Sequence, residues 1–260
     1  MQMRKLWAER VLIESGHRVV AVGRSFAKTV ANYFPTHRDR IRWCFAGGPP
    51  PRPAEAPRTP GDRVRLLLIG RPTPQKGWDH LAGALHAIER DAPADADTIE
   101  VRVLGGLGNW RGPLTDYGSG VLGALEALRR IRFVNLGRMS FDDTQRAYRD
   151  ADAFVLPSAY EPFGLVLVEA MAAGLPILAS DADGPADVVE PAFGRLVPRA
   201  PAETHVARLA EALLAFTRLP PDERTRMGEA ARLASTRYTW DACAERLLAF
   251  TAEATQAARF

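Results

Sequence analysis

Residues 153–174 read AFVLPSAYEPFGLVLVEAMAAG, and this stretch decides the fold. Ala153, Phe154, Val155 and Leu156 are apolar without interruption, which suits a short strand buried on both faces. A loop follows from Pro157, and a helix is expected over 164–173. A doubly buried strand that feeds a helix is the unit from which parallel sheets with helices on both faces are built.

The same alternation recurs on either side. Strands are expected over 64–69, 99–104, 131–136, 176–179 and 195–197, with Arg65 the one polar residue of the first. Helices are expected over 78–90 (Leu81, Leu85 and Ile88 on one face), 121–130, 141–149 and 185–190. Three more close the chain at 202–217, 221–237 and 240–257. The fold class is α/β, a Rossmann-like parallel sheet with helices on both faces. A smaller strand–helix unit precedes it: a helix over 3–15, a strand over 18–22, a helix capped by Ser25 and running to about 34, and a strand over 41–45. Pro49, Pro50, Pro51, Pro53, Pro57 and Pro60 lie between the two units. Prolines at that density remove backbone donors and hold the chain extended, so 47–61 reads as a linker. The expected division is 1–46, 47–61, 62–237 and a closing helix in 238–260.

Composition narrows the function. Hydrophobic residues make up 47% and charged residues 25%, enough to bury a core, and the net charge of +3 favours anionic ligands. The charges are interspersed, which argues against nucleic acid and allows at most peripheral contact with a membrane. Only Cys44 and Cys243 are present, far apart in sequence, so a disulfide framework or zinc site is not expected and a cytoplasmic setting is. The longest apolar stretch, 165–178, is broken by Glu169 and Pro176 and is too short to span a bilayer.

Ligands of open parallel sheets sit at the carboxyl ends of the strands, so the chemistry is sought in the loops there. After the first strand comes Gly70-Arg71-Pro72-Thr73-Pro74-Gln75-Lys76-Gly77. Arg71 and Lys76 offer two cations, beside the free N–H groups of a helix start, to an anion such as a diphosphate; the alternative is two solvated cations on a turn. The loop is not a Walker A sequence. In the quoted stretch, Glu161 follows a strand and Glu169 stands among Val166, Leu167, Val168, Ala170 and Met171. A carboxylate there needs compensation, from ligand hydroxyls, from a lysine or arginine, or from solvent. Gly105-Gly106-Leu107-Gly108 lacks the third glycine of a dinucleotide fingerprint, and a loop rather than a helix follows at 109–113. The Asp-x-Asp pairs at 95/97, 150/152 and 181/183 read as chance in an acid-rich chain, and the five histidines show no ligand spacing; no metal is expected.

Together these residues resemble the retaining GT-B glycosyltransferases of family four. The resemblance rests on Arg71 with Lys76, and on Glu161 and Glu169 with seven residues between them in EPFGLVLVEAMAAGLP. It extends through residues 132–139, 150–158, 184–187 and 194–197. It implies an enzyme that binds a nucleotide-diphosphate sugar and transfers the sugar with retention to a glycan or lipid-linked acceptor, with no cofactor. Arg71 and Lys76 would neutralise the diphosphate, Glu161 would hold hydroxyls of the donor sugar, and these three are the expected catalytic residues. Glu169 would hold the ribose. Phe163, Gly164 and Leu165 would face phosphate or sugar through backbone N–H groups, and the base would lie near Gly137, Arg138 and Met139; Gly70 completes the donor-binding set. The family has two Rossmann-like domains. Residues 1–46 resemble only the end of the first, acceptor-side domain, and the closing helix from Tyr238 resembles the one that crosses back onto it. Two departures are Asp187 in place of a common glutamate and Ala46-Gly47-Gly48-Pro49 in place of an asparagine–glycine turn. The resemblance leaves open a transferase fragment, a subunit whose protein partner supplies the acceptor domain, and a non-catalytic nucleotide-sugar binder. The expected location is the cytoplasm, from the cysteine usage, with the basic balance allowing peripheral contact with the inner face of the membrane.

Overall fold

The computed structural model describes residues 10–51, 61–105 and 116–257. Its N-terminal unit is a helical stretch over 10–14, then β1 (Val19–Ala21), α1 (Arg24–Tyr33) and β2 (Ile41–Trp43). The two strands pair in parallel, so the unit is a small β-α-β. The expected helix over 3–15 is thus described only from residue 10 onward. Ser25 does not cap α1. Gly23 holds the cap position, and the acceptor comes from Asp187, which takes the Ser25 N–H at 2.8 Å and its hydroxyl at 2.7 Å. One orphan N–H of the first turn, with the serine hydroxyl beside it, thereby meets a carboxylate 162 residues away in sequence.

The larger unit contains β3 (Val64–Ile69), α2 (Trp78–Asp91), α3 (Pro93–Ala96), β4 (Ile99–Leu104), α4 (Asp116–Glu126) and β5 (Arg132–Gly137). It continues through α5 (Phe141–Arg149), β6 (Ala153–Leu156), α6 (Leu165–Ala172), β7 (Ile177–Ser180), α7 (Asp183–Val188), β8 (Gly194–Val197), α8 (His205–Thr217) and α9 (Pro221–Ser235). All six strands are parallel, in the order β5-β4-β3-β6-β7-β8. β6 and β7 are buried along their whole length, as uninterrupted apolar strands must be when helices cover both faces. Alternate residues feed two cores. Leu66, Leu68 and Val155 face α2, α4 and α8, while Leu67, Phe154 and Leu156 face α5, α6 and α9. α4 ends four residues before the expected 130, because Glu89 accepts the N–H groups of Arg129, Arg130 and Ile131 at 2.6–2.9 Å and draws the chain out of the helix. Arg65 lies at the opposite end of the sheet from the strand tips, donating through its N–H to Asp152 at 2.8 Å. That gives Asp152 a role at the amino ends of β3 and β6, away from any site at the carboxyl ends.

The closing helix α10 (Trp240–Ala257) returns to the N-terminal unit. The Arg246 guanidinium lies 4.3 Å from the centre of the Trp43 ring, with Arg24 at 5.1 Å. Cys44 and Cys243, distant in sequence, are brought to 4.0 Å between sulfurs as free thiols; burial, then the neighbouring thiol, push Cys44 up to about 11. The start of the expected linker is packed. Gly47 and Gly48 are buried, and a side chain on Gly48 would stand 2.3 Å from Val168 Cγ1. Residues 52–60 of that stretch, and the loop expected at 109–113, lie outside the described residues. Among the described residues, no helix is long and apolar enough to cross a membrane.

Candidate functional site

The strand order reverses direction between β3 and β6, and in open parallel sheets that reversal leaves a crevice at the carboxyl ends. The loop after β3 and the loop after β6 meet there. Gly77 makes the meeting possible. It adopts φ +64°, and a Cβ at this position would stand 1.9 Å from the carbonyl oxygen of Pro157. Only glycine combines that conformation with so close a backbone approach. The carbonyl of Gln75 then accepts the N–H of Ala159 at 2.9 Å and that of Tyr160 at 3.3 Å, joining the loops.

This junction puts Lys76 Nζ 2.5 Å from Glu161 Oε2, although the residues are 85 apart in sequence. Glu161 is 7% exposed, while the Lys76 side chain keeps 29% of its surface in water. The Glu161 backbone is held as well, its carbonyl accepting the Gly184 N–H at 2.7 Å. Both residues line a pocket of about 340 Å³ with Pro162, Phe163, Gly164, Leu165 and Val166. Val22 and Ala46 complete it from the N-terminal unit. Phe163 is buried and stacks on Phe45 at 5.8 Å, while Leu165 is 44% exposed. Gly164, at φ +88°, caps α6 without a side-chain hydrogen bond, which leaves first-turn N–H groups for another acceptor.

The other expected residues distribute around this centre. Arg71 is exposed on the loop of Lys76, and Gly70 ties that loop to β4 by donating to Leu104 at 2.9 Å. Arg138 is exposed and Met139 half-buried just past the carboxyl end of β5, outside the residues that line the pocket. Glu169 lies on α6 four residues after Leu165 and three after Val166, hence on the pocket-facing side of the helix. It is half-buried, and among the described residues its side-chain partner is neither a lysine nor an arginine. Oε2 accepts the hydroxyl of Tyr148 at 2.7 Å. Burial pushes the Glu169 carboxyl above its ordinary range, and the tyrosine bond draws it partly back. Sequence reading passed over Tyr148 because it takes its place in an amphipathic helix as ordinary core. It passed over Val22 and Ala46 because no local pattern links them to loops far along the chain.

The pocket brings together one cation, Lys76, one acid, Glu161, and an uncapped helix start, while Arg71 on the same loop and Glu169 on α6 are not among the residues that line it. The family described as glycosyl transferases group 1 matches residues 53–234. An uncharacterised glycosyltransferase of Methanocaldococcus jannaschii is 31% identical over 187 residues, which cover 66% of this chain and 44% of that protein. Glycogen synthase of Mycobacterium tuberculosis is 36% identical over 151 residues, covering 58% of this chain and 32% of that protein. The chain therefore spans less than half the length of either relative. Among solved structures, sucrose-phosphate synthase from Thermosynechococcus elongatus superposes with a TM-score of 0.76 at 23% identity, over 98% of this chain and 62% of that one. The shared architecture is that of the GT-B fold.

Proposed function

We propose, for a chain that belongs to the glycosyl transferases group 1, that the crevice binds a nucleotide-diphosphate sugar whose sugar passes to a glycan or lipid-linked acceptor with retention at the anomeric carbon. The observation that carries this reading is the Lys76–Glu161 contact at 2.5 Å inside the pocket at the strand-order reversal. An ammonium has three N–H donors, so Lys76 can keep Glu161 and still turn toward a phosphate. A diphosphate entering here meets Lys76, the exposed Arg71 and the uncapped start of α6. As the bond from the anomeric carbon to the diphosphate oxygen breaks, negative charge builds on the leaving group. Cations already in place stabilise that charge more than they stabilise the intact donor. Glu161 accepts from sugar hydroxyls, Glu169 from the ribose, and the base rests near Gly137, Arg138 and Met139. Two cations doing this work leave no role for a metal. The acceptor side is assigned to a region beyond these residues or to a protein partner.

Titration calorimetry with UDP, GDP and ADP tests the reading. At least one should bind the wild type, and the double substitution Arg71→Ala with Lys76→Ala should reduce its affinity by at least about a hundredfold, from two charge-assisted contacts. A double variant that binds as tightly as the wild type would remove the diphosphate from this loop.

A further inference from the structure

Glu169 has a partner that donor binding does not require. Tyr148 is fully buried on α5, its ring packed 5.9 Å from that of Phe154, and its hydroxyl donates to Glu169 Oε2 at 2.7 Å. A backbone acceptor, the carbonyl of Val166, lies at 3.5 Å, so the carboxylate takes the shorter bond. Among the described residues, Tyr148 is the one titratable or charged side chain in hydrogen-bond contact with Glu169, and Oε1 has no protein partner. Burial, then the adjacent carboxylate, push the Tyr148 hydroxyl far above its usual range, so it stays protonated at any physiological pH. It therefore remains available as a donor to Glu169. A carboxylate has about four acceptor sites, so one fixed donor on Oε2 sets its plane and leaves Oε1 open. Leu165 and Val166, on the same face of α6, line the pocket.

Resting on the donor reading above, we propose that Tyr148 is a positioning residue for the nucleoside: it holds Oε2 of Glu169 so that Oε1 accepts the ribose hydroxyls, and this selects ribose over 2′-deoxyribose. A site built around a hydroxyl discriminates against the analogue lacking it because its own polar group is then left unpaired. Without the tyrosine hydroxyl, the half-buried carboxylate loses both its orientation and the bond that favours its ionised form.

The test titrates UDP, GDP and ADP, each beside its 2′-deoxy counterpart, into wild type, Tyr148→Phe, Glu169→Gln and the double variant across pH 5–9. The wild type should prefer the ribonucleotide by about 10- to 100-fold, the span of one hydrogen bond to a charged group. Tyr148→Phe should cut that preference by about tenfold at pH 7 and move the inflection of affinity against pH upward. In the Glu169→Gln background it should leave the preference unchanged. Equal weakening of both ligands, or an unmoved inflection, would make Tyr148 a packing residue and overturn the role. Tight binding with no ribose preference in the wild type overturns it while leaving the donor reading intact; a wild type that binds none of the six nucleotides removes both. Carbon-13 NMR of labelled glutamate supplies a measurement without ligand. The Glu169 carboxyl should titrate at higher pH in Tyr148→Phe than in the wild type, and an unchanged titration refutes the role. The substitution removes one oxygen and keeps the ring, and thermal melting verifies that the variant is folded.

Discussion

Replacing Lys76 by methionine removes a cation from beside a carboxylate that is 7% exposed, while keeping the apolar stem that packs along the loop. A fully buried charge left without its partner costs about 3–5 kcal/mol. The Lys76 side chain is 29% exposed, so water can reach the vacated position, and the expected loss falls to about 1–3 kcal/mol. Glu161→Gln works in the other direction. It leaves an ammonium that solvent can cover, and should cost less than about 1 kcal/mol. Together the two substitutions should cost little more than Glu161→Gln alone, which gives a coupling energy of about 1–3 kcal/mol in a double-mutant cycle.

Urea unfolding followed by tryptophan fluorescence measures all four proteins, with the fully buried Trp78 two residues from the pair as a reporter. For an unfolding slope of about 3 kcal/mol per molar urea, the lysine variant should lose about 0.3–1 M in its midpoint and the glutamine variant less than about 0.3 M. The asymmetry is the informative part, because it reports which of the two charges is out of water. Equal losses in the single variants, with coupling below about 0.5 kcal/mol, would mean a solvated pair, and the proposed diphosphate contact of Lys76 would lose the water-poor setting it depends on.

Gly77→Ala should destabilise by more than about 3 kcal/mol, since a left-handed residue with a Cβ costs about 1–2 kcal/mol and the Pro157 carbonyl 1.9 Å away must also move. A melting temperature within a degree of wild type would contradict the close approach of the two loops. Glu169→Gln should raise the melting temperature at neutral pH: a carboxyl held above its ordinary value by burial contributes stability below its unfolded value and loses it as pH rises through the folded one. The gain should therefore shrink as pH falls toward 4, and a difference constant across pH 4–8 would reject burial as the cause.

The strands were legible because their signal is local. Val64–Ile69 and Ile99–Leu104 keep the bounds expected from their mostly apolar or alternating pattern, and Ala153–Leu156 begins and ends where its apolar run does. Lys76 and Glu161 could each be assigned to a strand-end loop by pattern, and the parallel alternation put those loops on one edge of the sheet. What the pattern cannot carry is a partner chosen by the tertiary fold. Ser25 has the composition of a helix cap, yet Asp187 performs that service from α7. Glu169 announced that it needed compensation, but the donor is a tyrosine 21 residues earlier on another helix, in a position that reads as core. The cysteines, 199 residues apart, share no motif and meet only because α10 crosses the molecule.

These same long-range contacts make the N-terminal unit a wall of the crevice rather than an attachment to it. Val22 and Ala46 face the pocket, and Phe45, one residue before Ala46, stacks on Phe163 of the loop that carries Glu161. Tyr238 packs against both rings, at 5.2 and 6.0 Å, and its carbonyl accepts the Gly48 N–H at 2.8 Å. The two passages of the chain between the units, at Gly48 and at Tyr238, are therefore bonded to each other beside the pocket. Asp183 and Asp187 fasten α1 to α7 through Thr29 and Ser25. Gly184, between those two acids, donates to the Glu161 carbonyl. A displacement of the N-terminal unit thus acts on the Glu161 loop from two sides, through Phe163 and through α7. The walls of the crevice and the seating of the N-terminal unit are therefore joined by the same contacts, made by side chains that neither sequence segment reveals alone.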